Sequence, residues 1–167
     1  CLPTEGTVTW GDKQIEFSLK DTFACLDFGR GIWPFDSFWN WSSFSTRLPD
    51  GRTVGANLGA GWTDGTGMNE NGLCIDGRLT KLSEDVNFKY DPENFMAPWH
   101  LRTAATDRVD LTFEPFFERH EKTDALIIYS EVHQMFGRFY GTLQGDQGER
   151  IEIDGPIGWA EDHHARW

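Results

Sequence analysis

Long apolar runs, helical periodicity and paired cysteines are all missing from this chain. Without some ~18 consecutive apolar residues, no helix can span a bilayer, so no membrane span is expected. Apolar residues nowhere recur at 3.6-residue spacing for three turns, which excludes a helical bundle. The three cysteines, Cys1, Cys25 and Cys74, are odd in number and widely spaced. With no CxxC they offer neither a disulfide framework nor a zinc knuckle. Cys25 and Cys74 read as small buried apolar residues in strands. Basic residues are sparse too: 15 Lys and Arg stand against 27 Asp and Glu, a formal net charge of −12. With no basic cluster, no nucleic acid is expected as a partner, nor anchoring to anionic lipid. No signal-peptide pattern is present, and the cytoplasm is the favoured compartment.

What is abundant is aromatic residues and glycine: 13 Phe, 8 Trp and 18 Gly in 167 residues. A chain of this length fits one domain with one core. Phe and Trp favour strands, and Gly supplies turns and bulges. Turn signals divide the chain into short alternating runs. Thr7–Trp10 and Lys13–Leu19 flank Gly11-Asp12 as a hairpin, and Thr22–Asp27 follows as a strand. Phe38–Leu48 ends at Pro49-Asp50-Gly51-Arg52, where Pro presets φ and Gly accepts φ > 0. Thr53–Ala60 comes next, with Gly55, Asn57 and Gly59 on one face, so another backbone or a ligand can approach closely. Leu73–Leu82 and Val86–Tyr90 continue the meander, with Asp76-Gly77 marking a bulge or turn. Asp91–Asn94 suits one helical turn leading to a strand at Trp99. Val109–Phe113 is ended by Pro115, and one long strand is expected over Ala125–Leu143. Arg150–Ile153 and a tail strand from Gly158 complete the list. Roughly ten antiparallel strands at this spacing predict an all-β meander, closed or nearly closed into a barrel.

Chemistry-bearing residues gather in a few places. Residues 27–41 hold Trp33, Trp39 and Trp41 together with Asp27, Arg30 and Asn40. Such rings wall a ligand site or plug a barrel end, and Arg30 either stacks on them or pairs with Asp27. Asn57 and Trp62 follow on the glycine-faced strand. Glu131 and His133 are two apart on one strand face, the spacing of an acid–base pair, with a solvent-facing Glu and a satisfied His as the bland alternative. Asp64 is a third candidate proton donor. In the tail Glu161-Asp162-His163-His164, alternation lets only Glu161 with His163, or Asp162 with His164, converge. Two ligands do not make a metal site, so no metal and no cofactor are expected. Calcium-loop, P-loop and nucleophile-elbow spacings are absent.

Several longer segments resemble the domain-of-unknown-function 2804 family. They are Gly29-Arg30-Gly31-Ile32-Trp33-Pro34, Phe38-Trp39-Asn40-Trp41, residues 57–67, Val132-His133-Gln134-Met135-Phe136-Gly137 and residues 158–167. The resemblance covers essentially the whole chain. It implies that residues 1–167 form a single β-barrel-like domain corresponding to the C-terminal half of a longer, two-part protein. The missing N-terminal half would then be a partner. The family brings no assigned reaction. Its layout is distantly similar to lipocalin-like carotenoid hydratases and tocopherol cyclases, which implies a lipocalin-like barrel with a hydrophobic mouth.

Two functions from different classes follow. The first is binding of a small apolar or amphipathic molecule by Arg30, Trp33, Trp39, Asn40, Trp41, Asn57 and Trp62, with Glu161 and His163 in the same set. The second is cofactor-independent acid–base catalysis (hydratase, cyclase, isomerase or hydrolase) by Glu131, His133 and Asp64, with Asp162 or Glu161 as a further candidate donor. A packing role for the half-domain is a third. The first two expect the tryptophans and the Glu–His strand to share one hollow.

Overall fold

A computed structural model describes residues 1–167. Two-residue alternation governs it, giving strands and no helix. In chain order they are β1 (Leu2–Pro3), β2 (Gly6–Trp10), β3 (Lys13–Phe17), β4 (Phe23–Ala24), β5 (Asp36–Arg47), β6 (Thr53–Gly61) and β7 (Gly72–Ile75). Then come β8 (Arg78–Lys81), β9 (Val86–Lys89), β10 (Trp99–Thr103), β11 (Val109–Ala125), β12 (Ile128–Gln144) and β13 (Arg150–Arg166). Nine strands form one antiparallel sheet in the order β8-β7-β6-β5-β13-β12-β11-β10-β9.

The sheet curls, and its inner face makes the core. Phe44, Leu58, Trp99, Phe113, Met135 and Phe139 all point inward and are at most 2% exposed. Gly137 and Gly158 face each other across β12 and β13 and leave room for these rings. A Cβ on Gly158 would lie 2.3 Å from Ser43 O and 2.8 Å from a Phe139 ring carbon. The bare backbone there lets Phe139 stack between Phe44 and Phe113, at 4.8 and 4.7 Å.

A closed barrel is not formed. Its would-be seam lies between β8 and β9, which are consecutive in the chain but share no ladder. Both have only four residues, and β9 leans against β6 instead. The edges are held by the linker Leu82–Asp85. The Glu84 carboxylate accepts from the backbone N–H of Ala105 and Thr106 at 2.7 and 3.0 Å, and its carbonyl accepts from Asn69 and Asn71. The interior is filled by side chains, so the expected hollow is not there either.

Several strand limits differ from the expectation for identifiable reasons. Pro115 does not end β11, because a bulge at Phe116 absorbs it. A second irregularity at Gly155-Pro156 joins Arg150–Ile153 and the tail into the single strand β13. The run Ala125–Leu143 contains a hairpin turn at Leu126-Ile127, with Ala125 paired to Ile128 and Leu126 at φ 60. β4 keeps only Phe23–Ala24, and Cys25 is exposed outside it, while Cys74 is half-buried on β7. Asp91–Asn94 makes a turn, not a helix. The outer face of the sheet is partly covered by the N-terminal segment, from which the hairpin β2–β3 projects with every residue exposed.

Candidate functional site

The sequence candidates divide between the two faces of the sheet. On the outer face, register aligns Trp41 of β5 with Glu161 of β13 and Gln134 of β12. On the inner face it aligns Asn40, Asp162 and His133. The tryptophan segment and the Glu–His strand therefore do not meet in one space. Neighbouring residues of a strand point to opposite sides, and the register sets the two groups on opposite faces of the sheet.

The outer-face site is a half-open pocket of about 790 Å³. Trp33, Trp39, Trp41 and Trp62 line it with Phe28 and Met68, and Arg30, Asn57 and Glu70 supply polar groups. Two of the indoles are tied back by their N–H. Trp39 Nε1 donates to Glu161 Oε1 at 3.2 Å, and Trp41 Nε1 donates to Asn57 Oδ1 at 2.8 Å. The opposite Glu161 oxygen accepts from Gln134 Nε2 at 3.0 Å. Burial pushes the Glu161 carboxyl above its ordinary range, against these two donors. Trp39 also packs on His163 with centroids 4.1 Å apart, and burial lowers the affinity of that imidazole for a proton. Trp33 and Trp62 meet edge to face at 5.3 Å across the mouth. Arg30 makes no ion pair, with Asp27 or any other group.

Six of the nine ligand-binding candidates line this pocket: Arg30, Trp33, Trp39, Trp41, Asn57 and Trp62. Glu161 and His163 stand behind Trp39, and Asn40 lies on the other face. The glycine-faced strand receives chain segments: Gly59 makes room for the Glu70 side chain, and Gly55 for Cys1 Sγ.

The inner face beyond the core carries a polar network. Tyr90 donates to Asp162 and accepts from Asn40 Nδ2 at 3.2 Å. Its ring lies flat on Trp99 at 4.0 Å. Burial, reinforced by the bond to Asp162, raises the Tyr90 phenol far above its ordinary value. Further along, His133 Nδ1 sits 2.7 Å from Glu118 Oε1, and the ring stacks between Phe95 and His120. Glu131 Oε1 is 3.1 Å from His120 Nε2, while Oε2 accepts from Lys122 at 2.9 Å and from Tyr129. Led by Tyr129 and Lys122, these contacts hold the Glu131 carboxyl down at about 2. Such a group is a carboxylate at neutral pH, suited to be a ligand or a fixed charge and not a proton donor. Asp64 stands apart in the exposed loop after β6, where its backbone N–H bonds Gly61 O.

Glu118, His120 and Tyr90 are members of this inner-face network that sequence reasoning missed. The signal for the first two is the alternation Glu118-x-His120-x-Lys122, which mirrors Glu131-x-His133 once the turn is placed at Leu126-Ile127. That turn is apolar and carries none of the residues that announce one. Tyr90 comes from beyond a far edge strand and has no local signal.

No curated protein and no solved structure matches the chain. Residues 1–167 match throughout the family described as a domain of unknown function, DUF2804, and the chain belongs to that family.

Proposed function

We propose that this domain binds a hydrophobic or amphipathic small molecule on the outer face of its sheet. The observation that carries this reading is the half-open pocket walled by four indoles, two of them anchored through their N–H so that ring surface is turned to the opening. Aromatic walls with a few convergent polar groups are the usual make-up of small-molecule sites. Arg30, free of any carboxylate partner, offers a contact for a polar or anionic head.

Intrinsic tryptophan fluorescence, titrated with fatty acids and isoprenoids, tests the proposal. A saturable change is expected. Trp62→Ala is expected to weaken binding about ten-fold, the loss of an aromatic contact of ~1.4 kcal/mol. No spectral change across the panel would refute it.

A second reading, as a half-domain that packs against the preceding half of its own chain, has a separate observation in its favour. Val8, Trp10, Ile15 and Phe17 of the β2–β3 hairpin are all exposed, Trp10 at 80%. Apolar surface gathered this way on one arm is suited to a partner. Concentration-dependent association of the isolated chain, abolished by Trp10→Ser with Phe17→Ser, would support it. A monomer at all concentrations would oppose it.

A further inference from the structure

We propose that His120, Glu131 and His133 bind one divalent ion of the zinc class on the inner face of the β11–β12 ladder. This site is independent of the outer-face pocket. His120 and His133 are register partners on adjacent antiparallel strands, and Glu131 stands two residues from His133 on the same face. One ligand atom from each, all within 4.8 Å of one another, can converge. Oε1 of Glu131 lies 3.1 Å from His120 Nε2 and 3.8 Å from His133 Nε2. Ligands at ~2.0–2.1 Å from a tetrahedral ion stand roughly 3.3 Å apart, which these two distances bracket. Closing on an ion asks the two parallel rings to tilt toward it and His133 Nε2 to approach Glu131 Oε1 by about half an ångström.

The surroundings do what the outer partners of a metal site do. Glu118 holds Nδ1 of His133, which puts the proton there and leaves the Nε2 lone pair facing Glu131. Lys122 and Tyr129 both occupy Oε2 of Glu131, so Oε1 is the oxygen left to coordinate. Phe95 covers the far face of the His133 ring and restrains it. Two imidazoles and one carboxylate are a borderline donor set, which suits Zn(II) and its neighbours and is poor for Mg(II). The His120 side remains 45% exposed, so water or a ligand can take the remaining position.

Calorimetry with Zn(II), Co(II) and Mg(II), together with the visible absorption of the Co(II) form, tests the site on the full chain. One Zn(II) per chain, Co(II) bands of low coordination number and no Mg(II) binding are expected. His120→Gln and His133→Gln should each weaken Zn(II) by at least about ten-fold, and Glu118→Gln, which does not touch the ion, by 10–100-fold. His100→Gln and His163→Gln should leave it unchanged. Absence of Zn(II) binding by the parent chain would overturn the proposal. So would unchanged affinity in the His120→Gln/His133→Gln double variant, or in Glu118→Gln, with circular dichroism showing each variant folded.

Discussion

Replacing Tyr90 by Phe should cost the fold about 2–3 kcal/mol, nearly all of it through one oxygen atom. The ring is kept, and with it the stacking on Trp99 at 4.0 Å. Two hydrogen bonds are lost. The one to the Asp162 carboxyl group is of the kind that contributes ~1.5–3 kcal/mol, and the one from Asn40 about 1 kcal/mol. Asn40 retains Glu161 O at 3.1 Å, so its share is smaller. Asp162 is 9% exposed and its side chain has no other hydrogen bond; His164 Nε2 lies 3.9 Å away. The assay is urea unfolding of the parent, Tyr90→Phe, Asp162→Asn and the double variant at neutral pH. A coupling of about 1.5 kcal/mol or more is expected from the cycle. The pH dependence adds a second arm. Tyr90 is raised in the folded state above its ordinary 10.0, so its contribution is whole below that pH and is lost as pH rises further. The parent should weaken on the alkaline side, and Tyr90→Phe should lack that slope. A Tyr90→Phe effect within about 0.5 kcal/mol, or an additive cycle, would refute the reasoning.

Burial has opposite consequences for two neighbours behind Trp39. Glu161 is raised, so what it contributes is present below 4.5 and is lost as pH rises through the folded value; Glu161→Gln should gain stability relative to the parent at pH 7 compared with pH 4, and equal differences at both would contradict this. His163 is lowered, so it weakens the fold as pH falls below 6.5; His163→Gln should be the less acid-sensitive protein in denaturant melts from pH 7 to 5. Gly158→Ala should lower stability by about 1–3 kcal/mol or more, because its Cβ meets a backbone oxygen that cannot step aside; an unchanged melting temperature would contradict the packing described.

The all-β class and most turns were legible because they rest on local chemistry. Pro49-Asp50-Gly51-Arg52 turns where its residues require, with Gly51 at φ 92, and Asp76-Gly77 does the same between β7 and β8 with both φ positive. Alternation along β5 and β13 also holds, placing Trp39 with Trp41, and Glu161 with His163. What alternation leaves open is curvature. Whether two faces of different strands meet depends on how far the sheet rolls, and the short strands β7, β8 and β9 stop it short of closure. The β11–β12 arm was illegible for another reason. Residues 118–124 are all polar and, past Glu118, all exposed, so no apolar period marks a strand there, and Leu126 at φ 60 breaks the rule that left-handed positions carry glycine or asparagine. The His120–Glu131–His133 cluster depends on that one turn.

Strands β5 and β13 work as a common wall between the outer pocket and the polar network of the inner face. Trp39 hangs on one side and Asn40 on the other, one peptide apart, and the Asn40 amide grips the Glu161 carbonyl whose side chain holds Trp39. A guest wedged against the indoles would press on the same peptide planes that carry Asp162 toward Tyr90. The emission of Trp39 is therefore placed to register events on the reverse side, without any channel connecting the two.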